Sequence, residues 1–213
     1  MTVILEACDV SFGYSGGQTI VDGFSAKFHA GTTTAITGPS GRGKSTMLYL
    51  LGLMLAPRSG EVVVESKNAS RAQDKERADL RARKFGFVFQ DAALDSSRTV
   101  LDNVTEPALY RAQSRKELEP AARDLLARFK VDVPAHRKPG QVSGGQAQRI
   151  ALCRALLGSP KILLADEPTG NLDPATAQVV IDALREHAHT GSAVIVVTHS
   201  PDVAAVCDAE VRL

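Results

Sequence analysis

The chain has 213 residues, with 25 basic and 24 acidic side chains, so no whole-chain field favours a polyanionic partner, and nucleic acid is not expected. Cys8, Cys153 and Cys207 lie far apart without C-x-x-C spacing, which argues against a disulfide framework or a thiolate metal site. The longest apolar run, Met47 to Ala56, is about half the length of a bilayer-crossing helix, and no export signal is visible at Met1 to Glu6. The expectation is one cytosolic domain, held at any membrane by a partner.

In chain order, the first forty residues alternate apolar and polar side chains (Val3, Leu5; Phe24, Ala26, Phe28), broken at Ser15-Gly16-Gly17 and Gly31, a pattern that suits antiparallel strands. Thr34 to Thr37 feeds a glycine loop, and Lys44 onward is helical, with the apolar run 47–56 read as a buried helix. Glu61 to Glu65 is a further strand. The mixed-charge stretch Lys67 to Lys84 reads as a loop and a solvated helix, and Phe85 to Phe89 as a short strand ending at Gln90. Residues 91–140 are less regular, with helices near Val100–Leu109 and Lys116–Phe129, and Pro134 and Pro139-Gly140 break the chain. Gln146 to Gly158 reads as a helix, and Lys161 to Ala165 and Ala193 to Val197 as strands apolar enough to be covered on both faces. Asp173-Pro174 opens a helix that Gly191 closes. Apolar strands alternating with helices around a phosphate loop predict an α/β domain with a mostly parallel sheet, an N-terminal antiparallel β subdomain, and a smaller helical lobe over approximately 91–158.

Three segments carry the chemistry. Gly38-Pro39-Ser40-Gly41-Arg42-Gly43-Lys44-Ser45 is a complete G-x-x-x-x-G-K-[ST] loop between a strand and a helix. Its glycines let backbone N–H groups surround phosphate oxygens, Lys44 reaches the β- and γ-phosphates, and the Ser45 hydroxyl suits Mg²⁺. Asp166 and Glu167 end a buried strand, where a carboxylate can meet that metal. Ser143-Gly144-Gly145-Gln146 opens a helix, with Ser143 as N-cap and the glycines permitting close backbone approach to an anion.

In this order the three segments resemble the nucleotide-binding subunit of ATP-binding cassette (ABC) transporters, a P-loop NTPase family, over essentially the whole chain. The resemblance implies that Thr46 touches the α-phosphate, Asp166 serves Mg²⁺ and Glu167 is the general base. It implies that Gln90 touches the metal and the attacking water, and that His199 contacts the γ-phosphate. It further implies a head-to-tail pair of cassettes, identical or not, with Ser143 to Gln146 of one chain over the ATP of the other and Asp173 as both helix cap and cross-dimer contact. Tyr14 matches the position of the adenine-stacking aromatic, with Phe12 as the competitor. Val142 stands where the family usually has leucine. Leu164 to Asp173 is most similar to the branch serving lipoprotein release, macrolide-type and haem efflux, and cell-division permeases. That implies an ATPase lying peripherally on the cytoplasmic face of the membrane, driving a small four-helix permease for efflux or extraction. Two alternatives stay open: a nucleotide-dependent regulator of a membrane partner without net transport, and a soluble ABC-type ATPase acting on ribosomes or DNA.

Overall fold

A computed structural model of the chain describes residues 2–14, 17–39 and 41–213. Two sheets organise it. Strands β1 (Val3–Phe12), β2 (Val21–His29), β4 (Ser59–Val64) and β5 (Lys67–Asn68) form an antiparallel sheet in the order β2-β1-β4-β5. Strands β3 (Thr32–Thr37), β6 (Phe85–Val88), β7 (Ile162–Asp166), β8 (Ala193–Val197) and β9 (Ala209–Arg212) form a wholly parallel sheet in the order β6-β7-β8-β3-β9. The antiparallel pattern therefore stops at His29, and β3 crosses to the parallel sheet.

Strands β7 and β8 are buried at every residue, and their alternation divides two hydrophobic cores. Ile162, Leu164, Ile195 and Val197 face one core with β1, β2 and helix α1 (Lys44–Leu51); Leu163, Ala165, Val194 and Val196 face the other with the later helices. Helix α1 contributes Met47, Leu48, Leu50 and Leu51, all buried, so it is a filling between the two sheets rather than an amphipathic surface helix.

The expected long helix over 47–56 is corrected here: α1 ends at Leu51. Gly52 caps it at a place where a Cβ would sit 2.6 Å from the Phe87 ring, and Leu53 follows with φ 59° while remaining buried. Packing against Phe87 leaves room only for glycine at the cap, and the left-handed Leu53 turns the apolar chain out of the helix. The stretch Val100–Leu109 is likewise two helices, α3 (Val100–Val104) and α4 (Pro107–Arg111). Pro107 lacks the N–H that a continuous helix would direct to the Asn103 carbonyl, which accepts from Glu106 N at 3.3 Å instead. Helix α2 (Asp74–Lys84) buries none of its residues, as its mixed charge implies. Helices α5 (Arg115–Arg128) and α6 (Gly144–Leu156) pack with α3 in the second core, α7 (Pro174–His189) follows β7, and α8 (Pro201–Ala205) follows β8.

Candidate functional site

The carboxyl ends of four adjacent parallel strands, β6, β7, β8 and β3, open onto one cleft, where α/β folds collect their ligands. Its volume is about 480 Å³, and it is lined by Ile20, Gly41, Gly43, Lys44, Ser45, Thr46, Gln90, Asp166, Glu167, Val197 and His199. Residues from the phosphate loop, from the ends of β6 and β7, and from the start of the segment after β8 therefore meet, though they are far apart in sequence.

The phosphate loop leaves β3 at Gly38, whose φ of 148° and close approach to the Leu213 carbonyl (2.8 Å from a hypothetical Cβ) exclude a side chain. Pro39 and Arg42 are exposed, and Ser40 lies outside the described residues. Gly43, with φ 85°, is the N-cap of α1 and offers no side-chain acceptor. The first N–H groups of α1 are thus left for a ligand, and the positive end of the helix points into the cleft. Lys44 curls back so that Nζ donates to the carbonyls of Gly38 (2.8 Å) and Pro39 (3.0 Å), which holds its charge over the loop.

Asp166 is buried at the end of β7, and desolvation, with the neighbouring Glu167, pushes its carboxyl above the usual carboxylate range against the opposing pull of Ser45 and Lys44. A buried carboxylate raised in this way is stabilised by a cation. The oxygens gathered there, the Ser45 hydroxyl, the Asp166 carboxyl and the Gln90 amide, are the hard donors that suit Mg²⁺ rather than a softer metal.

Glu167 follows in the left-handed region (φ 45°), a conformation that costs a non-glycine residue about 1–2 kcal/mol. The neighbouring strand holds it there: its N–H donates to the Val197 carbonyl at 2.9 Å. Its carboxylate accepts from the Thr198 hydroxyl (3.2 Å) and the His199 N–H (2.9 Å), and Oε1 lies 2.7 Å from His199 Nδ1. An ionised carboxylate only accepts, so Nδ1 carries the proton in this pair and Nε2 faces outward on an exposed ring. Thr198 was not singled out in the sequence. The signal was a hydroxyl on the residue after a buried strand, too common to weigh by itself.

The signature segment, Ser143-Gly144-Gly145-Gln146, stands apart from this cleft. Ser143 Oγ accepts the Gln146 N–H at 3.2 Å and Gln146 Oε1 accepts the Ser143 N–H at 2.8 Å, a reciprocal capping box at the start of α6. Ser143 and Gly144 are exposed, and none of Ser143, Gly144, Gly145 or Gln146 lines the cleft. Asp173 caps α7 with both oxygens, accepting from Thr176 N (3.0 Å) and Thr176 Oγ1 (2.6 Å). Phe12 is buried in the first core, whereas Tyr14 is 53% exposed and packs edge-on against it at 5.2 Å between ring centroids.

A family model described as ABC transporter matches residues 21–170. The chain belongs to the ABC transporter family. It is 42% identical over 195 residues to a lipoprotein-releasing system ATP-binding protein LolD of Paramagnetospirillum magneticum, an alignment covering 91% of this chain and 86% of the relative. It is 40% identical over 208 residues to a macrolide export ATP-binding/permease protein MacB of Salmonella choleraesuis, covering 96% of this chain but 32% of that longer relative. Among solved structures it is similar to a dimeric ATP-binding cassette in a post-hydrolysis state bound to ADP and Pi, with TM-score 0.92, 33% identity, and coverage of 99% of this chain and 94% of the other. The α/β fold with its antiparallel and parallel sheets is that of ABC cassettes, and the chain is an ATP-binding, ATP-hydrolysing subunit of the family. No helix among the described residues is long and apolar enough to cross a membrane.

Proposed function

We propose that two copies of this cassette, or one copy and a related chain, close head to tail around MgATP and hydrolyse it to drive a separate membrane permease. Gly38 to Thr46 wraps the phosphates, with Lys44 on the β- and γ-oxygens and Tyr14 beneath the adenine. Ser45, Gln90 and Asp166 hold Mg²⁺, which when bound neutralises charge on the phosphates. Glu167 takes the proton of the attacking water, while His199, tethered through Nδ1, presents Nε2 toward the γ-phosphate. Ser143 to Gln146 and Asp173 complete the partner chain's site.

The observation that carries this reading is the fixing of Glu167. A strained backbone, a strand hydrogen bond and three further donors from Thr198 and His199 aim one carboxylate into a cleft that already holds Lys44, Ser45 and Gln90. A surface carboxylate at a strand end has no reason to be held in this way.

A second cavity of about 660 Å³ supports the membrane partner. Met54, Phe85, Phe87, Phe89 and Tyr110 give it an apolar wall beside the Gln90 segment, and Met54 and Tyr110 are exposed. We assign this groove to a small four-helix permease, with the cassette peripheral on the cytoplasmic face of the membrane. Efflux or extraction is the direction in keeping with relatives named for lipoprotein release and macrolide export.

Glu167→Gln tests the catalytic assignment. The amide keeps the shape and loses the base, so MgATP binds as in the wild type, hydrolysis falls by about 10²–10⁴-fold, and an ATP-bound dimer accumulates in light scattering. Hydrolysis at the wild-type rate would refute the role given to Glu167.

A further inference from the structure

Helix α6 does more than present the signature segment at its start. Two of its side chains reach across to the segment that carries Gln90. Gln148, almost fully buried, donates from Nε2 to the Phe89 carbonyl at 3.2 Å, immediately before Gln90. Six residues on, under two helical turns, Arg154 spreads its guanidinium over the other flank. Nη2 donates to the Ala92 carbonyl at 2.9 Å and Nη1 to the Ala93 carbonyl at 2.7 Å, and Glu106 Oε2 lies 3.3 Å from Nη1.

Ala92 and Ala93 both adopt left-handed backbone, with φ of 61° and 45°. Two consecutive alanines rarely do so without an external hold, and the planar fork of an arginine on two adjacent carbonyls provides one. Farther along, the Asn103 side chain accepts from Asp95 N (2.7 Å) and donates to the carbonyls of Asp95 (3.1 Å) and Thr99 (2.9 Å), which closes the far end of the segment. Gln90 itself is exposed. Its place in the cleft is therefore set by the backbone on either side, and both sides are fastened to α6.

We propose that Gln148 and Arg154 are positioning residues that fasten the Gln90 segment to α6 and so hold Gln90 at its place in the cleft. The proposal rests on the role assigned to Gln90 above.

A purely structural brace would lower stability without acting through Gln90, and a double-mutant cycle separates the two. Steady-state hydrolysis and MgATP binding are measured for Arg154→Met, Arg154→Lys, Gln90→Ala and the Arg154→Met/Gln90→Ala double variant. Arg154→Met lowers kcat about tenfold, in keeping with a small displacement of a catalytic group, while the dissociation constant for MgATP stays within about twofold because Lys44 and Ser45 are untouched. Arg154→Lys recovers part of kcat, since one ammonium reaches one of the two carbonyls. The double variant has the same kcat as Gln90→Ala alone, because removing Gln90 leaves Arg154 nothing to position. Additive losses, an unchanged kcat in Arg154→Met, or parallel loss of kcat and binding would overturn the proposal. If Arg154→Met does not fold, Gln148→Leu runs the same cycle from the other flank, with a kcat loss of about threefold. Gln90→Ala hydrolysing at the wild-type rate would refute the Gln90 assignment itself, an outcome read from that single variant and distinct from failure of the cycle.

Discussion

Two helices in this chain begin with glycine-rich loops, and the contrast between them explains the division of labour. At the start of α1, the fold itself demands glycine. Gly43 has φ 85°, and a Cβ there would lie 2.5 Å from Ile20 Cγ2. The helix start has no side-chain cap, so its N–H groups remain free for phosphate. At the start of α6, the fold demands much less. Gly144 sits outside the left-handed region and a Cβ there meets nothing within 4 Å, while Ser143 and Gln146 satisfy part of the helix end reciprocally. One loop is shaped by its own chain to hold an anion. The other is pre-ordered and open, and in the proposed head-to-tail pair its glycine faces the partner chain.

The sharpest way to break that comparison is at Gly43. Gly43→Ala forces a Cβ against Ile20 in a left-handed backbone, so MgATP binding in calorimetry weakens by about tenfold or more, with about 1–2 kcal/mol lost from stability. Unchanged binding would show that the loop tolerates what its geometry forbids. The opposite outcome is expected at Gly144. Gly144→Ala leaves MgATP binding unchanged and keeps or raises thermal stability by up to about 1 kcal/mol, since alanine is the better helix former. Its hydrolysis nonetheless falls by about tenfold if, as proposed, that open space receives the partner's nucleotide in the closed pair. Wild-type turnover in Gly144→Ala would remove the external constraint.

A smaller effect tests how the strand beneath the phosphate loop is anchored. Asp208 accepts from Thr33 N (2.7 Å) and Thr33 Oγ1 (2.8 Å), and the Thr33 backbone bond is the main reason its carboxyl is held below the ordinary 3.8. A depressed carboxyl stabilises the fold above its unfolded value and loses that contribution as pH falls through the folded value. Asp208→Asn therefore costs about 0.5 kcal/mol at neutral pH, a small figure because the exposed carboxylate is screened. The gap from wild type closes as pH drops below 3.8. A gap that is the same at pH 7 and pH 3 would show that the charge contributes nothing.

Much of this could be read before any coordinates, and for identifiable reasons. The phosphate loop is legible because its glycines, lysine and serine are fixed in spacing by one chemistry. Strands β7 and β8 are legible because burial on both faces needs an unbroken apolar run. The end of α1 was missed because Gly52, a common helix-ending residue, lay inside an unbroken apolar run; the nearby Phe87 ring, which leaves no room for a Cβ there, could not be read locally. Glu167 could be placed at a strand end, but its left-handed backbone and the Thr198 hydroxyl that holds it arise from strand pairing across the sheet. The fastening of Gln90 by Gln148 and Arg154 joins residues about sixty apart in sequence, and no periodicity or motif announces it.

The central claim is that each working site is shared between two chains, and a mixing measurement tests it most directly. Gly144→Arg blocks the signature without disturbing its own chain, because the space there is open, and Lys44→Ala disables the phosphate loop. Each variant alone is expected to be inactive in hydrolysis. In their mixed dimer, one site combines Lys44 from the first chain with Gly144 from the second, so random pairing restores up to ~25% of wild-type turnover. A mixture no more active than its separate components, or Gly144→Arg hydrolysing ATP at the wild-type rate by itself, would contradict a shared site.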